Sequence, residues 1–341
     1  MTHRDVLQAT VDELVQPGKG ILAADESNPT IAKRFAAIGV ESTAVNRCSY
    51  RSLILATPGL AEFVSGVILF EETLGQRTED GTPLPELAAK LGIVPGIKVD
   101  LGKHPLANTV GEDITQGLDG LTQRLAGYRE QGARFAKWRN VYHISATTPS
   151  RLAIQANAEV LARYAAICQI EGIVPIVEPE VLIDGDHSIE RSAEVNEAVF
   201  HAVFHALHRH HVVLEHMLLK PSMVIAGKDH SQKASPQDIA TLTVRCLRRT
   251  VPAAVPSINF LSGGQSPEEA TVNLNALNSM APQPWELSFS YGRALQEPAL
   301  LAWRGDAANT SLTQSALYKR ARLNGAARRG EYRPDMELTD S

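Results

Sequence analysis

The chain has 341 residues, which allows two ordinary domains of about 150 residues or one large α/β barrel. Hydrophobic residues make up 44% and charged residues 21%, a globular balance that argues against a disordered chain. Thirty-three Lys and Arg against 38 Asp and Glu give a formal charge of −5, which argues against a general nucleic-acid binder.

A helix is expected first, over residues 4–15. The first 16 residues carry Asp5, Asp12 and Glu13 in an amphipathic pattern, unlike a signal or transit peptide. Eight short, near-continuously apolar runs follow. They begin near Gly20, Val64, Gly96, Phe135, Ile173, Met217, Ala254 and Trp285, 31 to 44 residues apart. Runs such as Ile21-Leu22-Ala23-Ala24 and Val67-Ile68-Leu69-Phe70 are apolar on both faces, as in a parallel sheet covered by helices. Helical spacing appears between them at 46–56, 114–130, 154–169 and 189–209. Ser235-Pro236 and Ser266-Pro267 read as a cap followed by proline at the first helical position, opening helices to 249 and 279. Eight βα units predict a (β/α)8 TIM barrel with extra terminal helices. An open doubly wound sheet is the weaker alternative, because no GxGxxG turn follows the first strand. The last helix is expected at 313–323. Residues 1–325 then form one barrel domain, and 326–341 a flexible tail. Arg320, Arg322, Arg328, Arg329 and Arg333 read as its solvated basic end rather than a patch for an anionic partner.

Cys48, Cys168 and Cys246 make neither a disulfide framework nor a CxxC metal pair and fit a reduced, cytoplasmic protein. No run approaches the ~18 apolar residues of a membrane span, so no membrane partner is expected.

Ionisable residues interrupt the apolar runs. Asp25 and Glu26 end the first, Lys98 and Asp100 the third; Lys137 and Arg139 lie in the fourth, Glu178 and Glu180 in the fifth, and Lys220 ends the sixth. Residues two apart on a strand share a face, and the carboxyl ends of barrel strands form the mouth where active sites of this fold lie. A purely structural ion-pair network is the competing reading; buried Lys and Glu are costly unless paired. Lysines crowded by other cations and apolar walls can expose a neutral amine that attacks a carbonyl. Lys220, in Leu218-Leu219-Lys220-Pro221, has the most apolar approach and is the candidate nucleophile. The seventh run ends Ser262-Gly263-Gly264-Gln265 and the eighth Ser288-Phe289-Ser290-Tyr291-Gly292-Arg293. Loops in these places often bind phosphate through bare backbone N–H groups, and Arg293 can add a charge-assisted contact. Arg34, Arg47, Lys98, Lys137 and Arg139 fall on the other side of the proposed mouth. That many cations suit a substrate with a phosphate at each end.

Six histidines lie between 201 and 216, with His201 and His205 one helical turn apart. A metal-dependent aldolase or hydrolase is the rival they raise. The helix carrying them falls on the outer ring, so they read as a solvated or subunit-contact face, with no metal site.

The runs Gly18-Lys19-Gly20-Ile21-Leu22-Ala23-Ala24-Asp25-Glu26-Ser27, Gly96-Ile97-Lys98-Val99-Asp100, Ala136-Lys137-Trp138-Arg139, Ile176-Val177-Glu178-Pro179-Glu180 and Leu218-Leu219-Lys220-Pro221 closely resemble class I fructose-1,6-bisphosphate aldolase. So do residues 260–266 and 288–296, and the match runs in order over roughly 18–318. The resemblance implies a lyase of glycolysis and gluconeogenesis, a homotetramer that works through a Schiff base on Lys220 and needs no metal or cofactor. It implies Glu178 as general acid/base, Lys137 and Asp25 in the catalytic cluster, and Glu180 in support. It assigns Ser262, Gly263, Gly292 and Arg293 to the ketose 1-phosphate; Gly264 and Ser290 fall in the same two loops. Ser27, Lys98 and Arg139 would lie near the 6-phosphate, with Arg34 and Arg47 as further phosphate arginines. After Ser27, Asn28-Pro29-Thr30 departs from the Ser-Thr-Gly-Ser of animal relatives. Many members end in a tyrosine that shuttles a proton; here Tyr332 lies nine residues before the last residue. Sedoheptulose 1,7-bisphosphate as main substrate, or a non-catalytic sugar-phosphate scaffold, remain the alternatives.

Overall fold

Eight apolar runs become eight parallel strands that close on themselves. The computed structural model describes residues 3–338. Its barrel strands are β1 (Gly20–Ala24), β2 (Val64–Leu69), β3 (Val94–Lys98), β4 (Phe135–Tyr142), β5 (Val174–Val181), β6 (Leu218–Leu219), β7 (Ser257–Phe260) and β8 (Glu286–Tyr291). Each pairs in parallel with its chain neighbour, and β8 returns to β1. The expected (β/α)8 barrel is the observed one, and the open sheet is excluded.

Strand alternation sorts the side chains into two cores. Leu22, Ala24, Val67, Leu69, Trp138, Val177 and Leu219 face outward into the layer shared with the helices. Ile21, Ala23, Ile68, Val94, Phe135, Val174, Ile176 and Leu218 face inward and fill the barrel with an apolar floor. The helix His3–Leu14 closes that floor from below with Leu7, Val11 and Leu14. Phe135 fits because its neighbours lack side chains: a Cβ on Gly96 would lie 2.3 Å from its ring, and one on Gly66 3.2 Å.

Most helices fall where the periodicity puts them: Ala44–Leu55, Arg151–Ile170, Ile189–Arg209, Pro236–Thr250 and Pro267–Asn278. The two Ser-Pro starts both form capping boxes, with Asp238 and Glu269 as the reciprocal partners. The stretch 114–130 is corrected. Asp113–Thr115 is a strand, paired antiparallel with Lys103–Pro105, and only Leu121–Glu130 is helical. Gly117 and Gly120, at φ 123° and 65°, break the helix before it can start.

The expected tail is corrected as well. The last helix runs Thr310–Arg328, past the expected boundary at 326. Arg328 is buried, donating to the carbonyls of Gln16 and Lys19 and pairing with Glu286 at 3.0 Å. Arg320 is also buried; it donates to the Pro267 carbonyl at 2.8 Å and pairs with Glu337 at 2.6 Å. Residues 326–338 therefore pack back on the barrel's helices, because two of the arginines expected in solvent satisfy backbone carbonyls instead; 339–341 lie outside the described residues.

Phe135→Ala should destabilise the protein by ~3–5 kcal/mol, because it empties the middle of the floor. Urea unfolding measures this, and a loss below ~1 kcal/mol would show that the floor does not hold the barrel together.

Candidate active site

The charged layer sits directly on the apolar floor. On β4, Lys137 and Arg139 follow Phe135 on the inward face; on β5, Glu178 and Glu180 follow Ile176. Parallel register sets Lys98 beside Lys137, Arg139 beside Glu178, and Val141 beside Glu180. Lys220 continues β6, its N–H donating to the Val177 carbonyl at 2.8 Å.

Lys137 is the hub. Its Nζ lies 2.6 Å from Asp25 Oδ2 and 3.1 Å from Glu178 Oε2. Lys220 Nζ lies 3.2 Å from the other oxygen of Glu178. Lys137, Glu178 and Lys220 are each under 5% exposed. Burial alone would raise the carboxylates and lower the lysine. The charges outweigh it. Against burial, Lys137 and Lys220 hold Asp25 well below the usual carboxylate range. Against burial, Lys137, Lys220 and Arg139 also hold Glu178 below its ordinary value. Lys137 is raised, because Asp25, Glu178 and Asp100 together overcome its desolvation.

A second tier of pairs flanks the hub. Arg139 Nε donates to Glu180 at 2.5 Å, and the Glu180 charge, opposed by burial, raises Arg139 above its ordinary value. Lys98 Nζ reaches the carboxylate of Asp100 at 2.7 Å. On the far side, Gly263 and Gly264 hold φ of 37° and 87°, and the helix Arg293–Trp303 begins directly after Gly292. That helix start and the bare glycine backbone offer N–H groups to an anion. Ser290 Oγ is buried without a hydrogen-bond partner.

One cavity of about 810 Å³ unites these groups. It is lined by Asp25, Ser27, Arg34, Lys98, Lys137, Arg139, Glu178, Glu180, Lys220, Ser262, Gly263, Gly264, Ser290, Gly292 and Arg293. Arg47 is the exception among the expected site residues. It is outside the lining, and both oxygens of Glu72 hold its guanidinium at 2.7 and 2.5 Å. Arg34 is inside but committed to Glu26 at 2.5 Å. Tyr332 is not in the lining; its hydroxyl donates to Glu337 at 3.1 Å.

Sequence reasoning missed several residues. Lys103, Arg124 and Tyr128 line the cavity. Arg51, buried beneath it, binds the Glu26 carboxylate at 2.8 Å. One signal was available: Arg51 stands on the apolar face of its helix with Ile54 and Leu55. Lys103 reaches the cavity from the hairpin that the helical pattern had hidden.

The histidine stretch lies elsewhere. His201, His205 and His208 are exposed on the outer side of Ile189–Arg209, as expected for a solvated face. His216 is buried and meets Gln8 at 3.2 Å. Among the described residues, no three His, Cys, Asp or Glu side chains are grouped to hold a metal ion. Among the described residues, no helix is long and apolar enough to cross a membrane.

A family model described as fructose-bisphosphate aldolase class-I matches residues 6–341. A Drosophila melanogaster fructose-bisphosphate aldolase is 56% identical over 96% of this chain and 91% of its own. A probable class 1 enzyme of Xanthomonas campestris pv. campestris is 52% identical over 96% of this chain and 98% of its own. The cytosolic fructose-bisphosphate aldolase 4 of Arabidopsis thaliana is 55% identical over 94% of this chain and 82% of its own. Among solved structures, the Plasmodium falciparum aldolase in complex with TRAP and a small-molecule inhibitor superposes with a TM-score of 0.96. It is 52% identical, over 97% of this chain and 96% of that one. These relatives are named for fructose bisphosphate, not for the seven-carbon sugar or for a scaffold.

The hub carries a stability signature. A carboxylate held low stabilises the fold above its unfolded value, about 4, and this is lost as pH falls through the depressed value. A lysine held high stabilises below its unfolded value of about 10.4, and this is lost as pH rises through the raised one. Lys137→Met should therefore be destabilised by ~3 kcal/mol or more at pH 7, through uncompensated buried carboxylates. The gap to the unsubstituted protein should narrow as pH falls toward about 3: without Lys137 the buried carboxylates of the folded variant take protons, whereas the unsubstituted protein loses stability below about pH 4, where its unfolded chain takes protons that its folded state does not. Unfolding midpoints between pH 3 and 7 measure it; a gap constant over that range would contradict the account.

Proposed function

Because the chain belongs to the class I fructose-bisphosphate aldolase family, we propose that its mouth carries out the family's cleavage with Lys220 as the covalent nucleophile. The protein is a lyase that reversibly splits fructose 1,6-bisphosphate into dihydroxyacetone phosphate and glyceraldehyde 3-phosphate. The family uses a Schiff base and no metal. The observation that supports Lys220 is its position 3.2 Å from Glu178 at the base of a cavity with cations on both sides.

Glu178 takes a proton from the Lys220 ammonium, which produces the amine nucleophile and the acid together. The amine attacks the C2 carbonyl of the open-chain sugar. Glu178 then protonates the C2 hydroxyl, water leaves, and an iminium remains on Lys220. Asp25, charged at neutral pH and aided by Glu178, removes the C4 hydroxyl proton. The C3–C4 bond breaks, its electrons pass into the iminium, and glyceraldehyde 3-phosphate departs. The enamine takes a proton at C3 as Asp25 gives up the one it took from the C4 hydroxyl, and water releases dihydroxyacetone phosphate and returns the Lys220 ammonium. Lys137 stays charged throughout and keeps Asp25 and Glu178 in place. Arg139 and Glu180 brace the mouth.

The 1-phosphate binds the Ser262-Gly263-Gly264 loop, Ser290, Gly292 and Arg293. The 6-phosphate binds on the side of Ser27, Lys98 and Arg139, with Arg34 nearby. Anchoring both ends holds C2 at Lys220 and the C4 hydroxyl at Asp25, which supplies much of the rate. This chain needs no metal or other cofactor. It acts in the cytoplasm on a small-molecule substrate as a homo-oligomer, a tetramer by its family, with no nucleic-acid or membrane partner.

Borohydride added with fructose 1,6-bisphosphate should fix a three-carbon phosphate adduct on the Lys220 peptide, read by mass spectrometry. Lys220→Ala should show neither adduct nor cleavage, and exhaustive chelation should leave activity intact. Full cleavage by Lys220→Ala overturns the nucleophile, and loss on chelation overturns the metal-free reading.

Lys98→Met should lower kcat/KM for fructose 1,6-bisphosphate by about tenfold or more, the scale of one charge-assisted contact. Fructose 1-phosphate, lacking the second anion, should be cleaved as before. Equal losses on both sugars would move Lys98 out of the 6-phosphate site.

A further inference from the structure

Asp25 stands just beyond the end of β1, at Ala24, where the strand ladder no longer fixes the backbone. Backbone carbonyls there need other donors. Two side chains supply them. Arg51, from the helix Ala44–Leu55, is 2% exposed and donates from Nη1 to the Ala24 carbonyl and to Thr73 Oγ1 at 3.1 Å. Its Nη2 donates to the Glu26 carbonyl at 3.3 Å and to Glu26 Oε2 at 2.8 Å. Gln296, from the helix Arg293–Trp303, donates to the Ala23 carbonyl at 2.6 Å and to Glu26 Oε1 at 2.8 Å. The carbonyls of residues 23, 24 and 26, and both oxygens of the Glu26 carboxylate, are thus held from outside the barrel.

We propose that Arg51 is a positioning residue for the cleavage step: its guanidinium fork clamps the end of β1 and so fixes the Asp25 carboxylate against Lys137. Arg51 does not line the cavity, so it reaches the chemistry only through the backbone it holds. A planar fork is required, since one donor pair must serve a carbonyl on one side of Asp25 and a carboxylate on the other. Lysine keeps the charge that balances Glu26 but offers a single nitrogen. Glu26 also takes Arg34 at 2.5 Å, so the clamp ties the position of the base to one of the cations of the mouth. A displacement of about 1 Å at a reacting group costs about 10²-fold in rate.

The inference rests on Asp25 as the base of carbon–carbon cleavage, and the two parts separate by experiment. Arg51→Lys and Arg51→Met are compared with Asp25→Asn in the full-length protein, with far-UV circular dichroism to confirm folding. Three readouts are taken: kcat and KM for fructose 1,6-bisphosphate, and the rate of borohydride trapping with dihydroxyacetone phosphate. Trapping needs Lys220 and Glu178 but breaks no C–C bond. For Arg51→Met, kcat should fall about 10²-fold, with KM and the trapping rate within about threefold of the unsubstituted protein. Arg51→Lys should lose about tenfold in kcat with the same split, and decides the matter if the methionine variant does not fold. Unchanged kcat in a folded Arg51 variant overturns the proposal when Asp25→Asn abolishes cleavage. Trapping that falls in step with kcat also overturns it, because the defect would then be general. Cleavage surviving in Asp25→Asn removes the base assignment itself, and the positioning role with it.

Discussion

Lys137, wedged between Asp25 and Glu178 on top of an apolar floor, is the contact on which the rest of this structure turns. Each of the three charges would be costly to bury alone. Together they are tolerated, but only if β1, β4 and β5 meet in one register. The closed barrel imposes that register. The floor excludes water from below and makes each charge feel the others strongly. The feature that makes the layer costly is therefore the one that makes it reactive. The same Coulombic grip that holds the carboxylates ionised sets the Lys220 nitrogen 3.2 Å from a Glu178 oxygen.

Charge is divided along the cavity. The carboxylates Asp25 and Glu178 occupy the middle, Lys98 and Arg139 one side, and Arg293 with the helix start and glycine loops the other. The formal −5 averages a locally basic mouth with an acidic remainder, so it says nothing against an anionic substrate. Arg47 shows the converse: a cation of the right type, near in sequence, spends its fork on Glu72 and stays out of the mouth.

Much of this was legible in the residues. Apolar runs at regular spacing, each ending in charge, describe a parallel barrel with a polar mouth, because period-two alternation leaves inward charges nowhere else to go. The motifs around Asp25, Lys98, Lys137, Glu178 and Lys220 then named the chemistry. The failures have physical causes. The 114–118 stretch has helical spacing, but Gly117 and Gly120 and an antiparallel partner at 103–105 prevail over it. Arg320 and Arg328 look like solvated charges, yet buried carbonyls of distant segments take them up.

The sequence by itself determined the barrel, its floor and the identity of the charged residues, since these follow from local alternation and from residue type. Only the tertiary structure decided which charges meet. Pairings such as Lys137 with Asp25, Arg51 with Glu26 and Gln296 with the Ala23 carbonyl join residues far apart in the chain. No local period encodes such distances; closing the barrel and packing helices against it do.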